Sequence, residues 1–380
     1  MRRYGTFSHL LPPLLAAGSL LAPGAQAQRS ESARTVFPIC VGDCRRVIGV
    51  RLNYRDSRLE RVDGINATIW TPYEPMGGVV NGVALGLPAT GAAEINGLAL
   101  GVFGVGAAEH IRGIGIAPVG LGAGNELEGI MVGGVGVGSG GRMKGVMIGG
   151  VGAGSGGGMT GLSVGGIGVG SGGDINGISL GGVGVGGGGN VRGVQIGGIG
   201  VGAGGDLNGL SVSAIGVAGG GRVSGISLAG IGVGGGNGIS GITIAGIGVG
   251  GGGDVEGLTV AGIGIGAGGT VRWISLAGVG VGASAIRGLA AAGLGVGGGD
   301  VAGIVLAPGF MRIEDRGQFE GISVAGFNYV RGAQRGLTIG VVNYARRLHG
   351  VQVGAINYAR NNPPGLRVLP IVNVNLADDR

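Results

Sequence analysis

The chain has 380 residues, 102 of them glycine, with 44 % apolar and only 12 % charged residues and a formal charge of +6. Glycine stands at about four times its usual share, yet the Gly-X-Y spacing of collagen is absent, and a polar, charge-rich disordered linker is excluded. No Lys/Arg block of the kind that tracks nucleic-acid phosphates occurs, so no nucleic-acid partner is expected.

Residues 1–27 read as a secretory signal peptide: Arg2 and Arg3 open it, residues 10–21 are largely apolar, and Ala25-Gln26-Ala27 forms an A-x-A cleavage site ahead of Gln28. Residues 28–62 are polar and of mixed charge and are expected to form an N-terminal cap over the exposed strand edge of the first coil. Within this cap lies the C-x3-C pair Cys40 and Cys44. With no second Cys or His pair nearby, export predicts a local disulfide rather than a metal site.

Residues 63–307 carry the repeat. Gly64, Gly82 and Gly97 anchor irregular early coils. A glycine followed by an apolar-x-apolar triplet then recurs every sixteen residues from Gly113 to Gly257, and one further step lands on Trp273. Two fifteen-residue coils follow at Gly288 and Gly303. Residues 308–320 are expected as an interruption loop, and 321–380 as C-terminal coils anchored at Gly321, Gly336, Gly350 and Gly365. A fixed period of this size is the signature of a solenoid, in which each coil buries its apolar face only against its neighbours. Glycine at this density excludes helix as the main element, at about 1 kcal/mol per helical position.

With Gly193 counted as zero, apolar residues fall at +1 and +3, +6 and +8, and +14. Spacing by two is strand alternation. The parity slips between +3 and +6, and again between +14 and the next +1, and each slip predicts a turn. The fold class expected is all-β, a parallel β-solenoid of ~16-residue, two-strand coils with an N-terminal cap. Taking the apolar +1 and +3 positions as inward puts +2 outward. Ser163, Ser179, Gln195, Ser211, Ser227, Thr243, Thr259 and Ser275 would then form a polar ladder facing solvent, which a glycan or another regular surface could bind. Position +7, also read as outward, is glycine in the array and becomes Asn328, Asn343 and Asn357 in the last coils, each followed by a tyrosine, with Asn373 one place late. Glycine and asparagine share tolerance of left-handed backbone; an Asn ladder bonding between coils is the equal alternative.

The segments Gly336-Leu-Thr-Ile-Gly-Val-Val-Asn-Tyr-Ala345 and Gly350-Val-Gln-Val-Gly-Ala-Ile-Asn-Tyr-Ala359 resemble the G-h-x-h-G-h-h-N-Y-A units of bacterial exported surface-repeat proteins. Val80-Asn-Gly-Val-Ala-Leu-Gly-Leu-Pro88 and Ile95-Asn-Gly-Leu-Ala-Leu-Gly101 are similar to the same group. The resemblance implies a cell-envelope or surface location and supplies no catalytic residues.

Motifs of chemistry are thin. G-x-G-x-x-G, as at Gly168, Gly170 and Gly173, recurs along the array with no helix to follow, which a dinucleotide site requires. The Gly-Gly-Asp steps at Asp206 and Asp254 resemble calcium β-rolls, but other coils carry Arg142, Asn190 or Arg222 there, so no metal is expected. His110 and His349 sit in no catalytic motif, and Glu314, Asp315 and Glu320 read as a solvated loop cluster. No cofactor and no enzymatic activity are expected. These observations predict an exported, non-catalytic structural or interaction solenoid in the periplasm, at the outer-membrane surface or outside the cell, with an envelope component or another protein as partner. The alternatives are a repeat-surface binding module, for a glycan or another envelope protein, and a membrane-associated or membrane-integral protein. Self-association is open in either case.

Overall fold

The computed structural model describes residues 39–70 and 72–376. The expected signal peptide and the first part of the expected cap lie outside these residues. The described chain is all-β: parallel strands stack coil upon coil in a β-solenoid of about 19 turns. At a spacing of about 4.8 Å per coil the stack runs to roughly 90 Å.

A regular coil consists of an eight-residue strand, such as Arg142–Gly149, and a four-residue strand, such as Gly152–Ser155, joined by short corners. Register is strict. Gly145 pairs with Gly129 in one neighbour and Gly161 in the other, and every residue of the eight-residue strand follows suit. The anchor glycine therefore lies inside a continuous strand rather than at a corner.

That continuity decides which side chains face inward. Alternation runs unbroken from −2 through +2 to +4, so these positions share the interior. In the coil of Gly145, Met143, Met147 and Gly149 are buried while Lys144 and Ile148 are exposed. The core is thus built from a large aliphatic column at −2 (Ile111, Leu127, Ile175, Leu207, Ile239) and a second at +8 (Val137, Val169, Val201, Val233). The parity slip expected between +14 and the next +1 does not occur. The slip after +3 does, at the corner.

Three expected boundaries change. The residues read as a cap are coils from Ile39 onward: Ile39–Val41 pairs in parallel with Arg46–Arg55, and Arg46–Arg55 with Arg61–Trp70. Gly49 is already an anchor, with φ 133°. The segment 308–320 is mostly strand, since Gly295–Ile313 runs through Pro308 and only a short turn precedes Gln318–Ile339. Finally, Gly365 anchors no coil. Val368–Asn375 returns antiparallel to Val342–Ala359, because the Asn361-Asn362-Pro363-Pro364-Gly365 run turns the chain back on the stack.

The anchors have a single steric cause. Gly209 has φ +119°, and a Cβ built on it would lie 2.1 Å from the carbonyl oxygen of Gly193, the anchor one coil before. Both the left-handed backbone and the close approach exclude a side chain. Gly170, by contrast, has open space where a Cβ would stand. Gly209→Ala is therefore expected to lower stability by roughly 1–3 kcal/mol, and Gly170→Ala by far less. Urea midpoints of the two variants check this; equal midpoints would contradict the steric account.

Candidate functional site

The expected polar ladder is turned inside out. Ser163, Ser179, Gln195, Ser211, Ser227, Thr243, Thr259 and Ser275 are all buried, at most 3 % exposed. As +2 residues they share the inward parity of −2. The column is mixed in size: Met131 and Met147 also occupy it fully buried, whereas at Gly115 a Cβ would meet the Leu121 side chain at 2.4 Å. The hydroxyls of Ser211 and Ser275 lie buried without a hydrogen-bond partner. A buried column cannot contact a glycan.

What faces outward instead is aliphatic. From the anchor Gly97 to Gly350, all seventeen +1 residues and all seventeen +3 residues are Ile, Leu, Val or Ala. Ile226, Ile242 and Ile244 are 41, 41 and 42 % exposed, about what a side chain on an uncovered sheet face shows. The corner column at +6, including Ile199, Ile215 and Ile231, adds a third exposed apolar row. The three rows form a charge-free flank of roughly 80 by 12 Å, about 1,000 Å². Ordinary monomers expose patches of at most a few hundred Å².

Charges lie on the other side of the anchor, at −1 and −3. Arg192, Lys144, Glu128 and Glu256 stand at −1, and Asp174, Arg142, Asp206 and Asp254 at −3. The aspartates of the Gly-Gly-Asp steps tie coils together: Asp174 accepts the Asn190 N–H at 2.7 Å, Asp206 that of Arg222 at 2.8 Å, and Asp254 that of Thr270 at 2.7 Å. His110 and His349 lie fifteen coils apart in the stack, so the fold does not bring them together.

In the last coils Asn328, Asn343 and Asn357 point inward, not outward. The corner before them is one residue shorter than in the coil of Gly303, so Asn328 pairs with Met311, the +8 residue of that coil. The asparagines thus continue the buried valine column. Asn328 Nδ2 donates to Asn343 Oδ1, and Asn343 Nδ2 to Asn357 Oδ1, each at 2.7 Å. Asn343 also donates to the Val353 carbonyl at 3.0 Å. Asn373 is not a rung: it pairs with Gln352 on the return strand and reaches the Asn357 carbonyl at 3.3 Å. Outside the ladder, Tyr329, Tyr344 and Tyr358 stack with centroids 5.0 and 5.2 Å apart.

At the opposite end lies a cluster that periodicity does not flag. Arg51 occupies the +2 position of the Gly49 coil and is fully buried. It ion-pairs with Asp56. It also donates to the Cys44 carbonyl at 2.9 Å, Asn66 Oδ1 at 3.0 Å and Asp43 Oδ1 at 3.0 Å. The Cys40 and Cys44 sulfurs are at disulfide distance, closing the loop whose carbonyl Arg51 holds. The signal in the sequence is a long cation at a position otherwise kept for small or apolar residues.

The chain matches no protein-family model, no curated protein and no solved structure.

Two outcomes follow from these contacts. Asn343→Ala leaves the buried Asn357 Oδ1 without its donor, at about 1–3 kcal/mol, while Asn328 Nδ2 keeps the Ala325 and Ile339 carbonyls; a loss below about 1 kcal/mol in urea unfolding would mean the ladder is not bonded as described. Burial raises the Asp43 carboxyl, but hydrogen bonds from the Ser57 hydroxyl and amide and from Arg58, with the charge of Arg51, outweigh it and hold the pKa below the ordinary 3.8. A depressed carboxyl contributes stability that is present above its unfolded pKa and lost as pH falls through the folded one. The thermal midpoint of wild type should therefore exceed that of Asp43→Asn at neutral pH, with the gap closing below about pH 4. A pH-independent gap would refute the assignment.

Proposed function

We propose that this chain is an exported, non-catalytic interaction solenoid of the bacterial cell envelope that works through its aliphatic flank. The observation that supports this most directly is the flank itself: seventeen coils expose Ile, Leu, Val and Ala at +1 and +3 without one charged or polar residue. Nothing in the packing of a monomer asks for this. The same fold would be served by serine or threonine on an outward strand face, and polar residues are available, since the chain spends them inside. The leader-like first 27 residues and the resemblance to exported surface-repeat proteins support the envelope location.

The surface that fits such a flank is another apolar sheet of the same pitch. Rows repeating at about 4.8 Å can interdigitate with rows of equal spacing at the ~10 Å separation of packed sheets, and a second copy supplies them. The roughly 1,000 Å² available exceeds the ≈ 800 Å² per partner of a standard interface. A lipid surface is the second reading of the same flank. It is less well matched, because interfacial elements carry Trp or Phe with flanking Lys and Arg, whereas the charges beside this flank are of both signs.

The test is sedimentation velocity together with flotation on phosphatidylcholine vesicles, for wild type and for Ile226→Lys/Leu258→Glu. Both residues point outward, so the variant is expected to keep the far-UV spectrum of the fold. Wild type should sediment as a dimer or larger and the variant as a monomer. Flotation of wild type alone would move the partner from protein to lipid. A wild type that is monomeric and does not float would sink the interaction reading.

A further inference from the structure

Along the array, cations sit opposite carboxylates one coil away. Arg112 lies 3.8 and 3.9 Å from Glu94 and Glu128, Lys144 3.2 Å from Glu128, Arg192 3.9 Å from Asp174, and Arg272 3.3 Å from Asp254. In-register stacking makes this compensation necessary, because a column without it sets like charges about 4.8 Å apart. The last coils abandon it. Between residues 308 and 376 there are eight arginines and three carboxylates.

Four of those arginines converge. Arg316, Arg331, Arg346 and Arg347 line a surface groove of about 320 Å³, with Gly332 at its floor. Among the described residues one carboxylate, Asp315, reaches them and pairs with Arg331 at 2.6 Å, so one cation is neutralised there and three are not. Arg316 is held at the groove by a turn in which its φ is 68°, a left-handed conformation that a side-chain-bearing residue adopts at a cost and that clusters at functional positions. The turn is closed by the Gly317 N–H donating to the Glu314 carbonyl at 3.1 Å. A Cβ on Gly332 would lie 1.7 Å from the Gly317 carbonyl oxygen, so glycine there is what lets the coil carrying Arg331 close up beneath the turn carrying Arg316.

We propose that this groove binds a phosphate-bearing ligand. Three uncompensated guanidiniums ask for a compact group with at least two negative charges and several acceptor oxygens, which a pyrophosphate or phosphomonoester supplies and a single carboxylate does not. Guanidinium forks match phosphate oxygens bidentately. The site lies at the C-terminal end of the stack and does not involve the +1 and +3 rows, so it stands whether or not the aliphatic flank has a partner. The phosphate can belong to a free molecule or to a lipid headgroup, and the chemistry at the arginines is the same.

The experiment is titration calorimetry of the full chain with sodium pyrophosphate at fixed ionic strength, paired with flotation on vesicles of phosphatidic acid, a phosphomonoester lipid, in phosphatidylcholine and of phosphatidylcholine alone. Wild type should bind pyrophosphate saturably at one site. Arg346→Gln/Arg347→Gln should weaken this by about tenfold or more, while Arg192→Gln and the flank variant Ile226→Lys/Leu258→Glu leave it unchanged. Flotation that requires phosphatidic acid and is lost in the double arginine variant, without pyrophosphate binding, also supports the site and assigns the phosphate to lipid. No response to either probe, a response that the double variant retains, or one that Arg192→Gln weakens equally overturns the proposal.

Discussion

The structure depends on one close approach, repeated along its length: the backbone of each anchor glycine presses against the anchor carbonyl of the coil before. At Gly145 a Cβ would stand 2.1 Å from the Gly129 oxygen, and at Gly161 2.1 Å from that of Gly145. Because glycine alone meets this contact, the column fixes the register of every coil. A register slip of one residue would place a side chain in the column and turn every side chain of the strand to the opposite face. Trp273 marks the strength of the constraint. It is the anchor that is not glycine among the regular coils, it keeps the positive φ of 78°, and its ring is thrown outward to 71 % exposure. The next two anchors, Gly288 and Gly303, then follow at fifteen residues, with a register shift between Ala267 and Thr270.

From this column follows an inversion of the usual distribution of polarity. The anchor lies mid-strand, so the residues two before and two after it point the same way, and the interior is shared by large aliphatics at −2 and, at +2, by serine, threonine and glutamine along most of the array with methionine at Met131 and Met147. The interior tolerates hydroxyls that find no partner, as it does Gln195 Oε1 and Gln352 Oε1, while other polar atoms of long side chains are bonded: Asn328 to Asn343 to Asn357, Gln352 Nε2 to Gln334 at 3.1 Å, Arg51 to four acceptors. Each coil is stabilised chiefly by its two neighbours, as in other one-dimensional arrays, and the bonded clusters of Arg51 and of the asparagines lie in coils that are paired on both sides.

Period, strand content and parallel stacking were legible in the sequence because glycine spacing reports backbone geometry directly. The facing of the strand was not. Reading Val194 and Ile196 as inward assumes that apolar means buried, and that assumption forced a turn between Leu207 and Leu210 where the strand is in fact continuous. The better signal was Val191, Leu207 and Val223 at −2, apolar in every coil of the array, which by alternation sends Gln195 and Ser211 inward with them. The asparagines were misplaced for a different reason: losing one corner residue before Phe327 shifts Asn328 into the valine column, and a count from the anchor cannot see where along the coil a residue was lost. The reversal at the end was within reach, since two prolines followed by Gly365 forbid a further coil of the same kind.

The ends and the flank of such a stack pose different problems. An open parallel edge invites further strands, and at the C-terminus that edge is occupied by Val368–Asn375, an antiparallel strand that carries Pro370 and so lacks a donor at that position. A protein built to grow end to end would not place such a strand there. The flank is treated in the opposite way: seventeen coils leave it aliphatic, while charges of both signs are kept to the far side of the anchor. Covering the C-terminal edge of the stack while leaving the flank bare is the arrangement that the proposed sideways association requires. The glycine column makes this economical, because register alone aligns every exposed isoleucine with the next, and a flat apolar surface arises from the repeat itself without a dedicated binding domain.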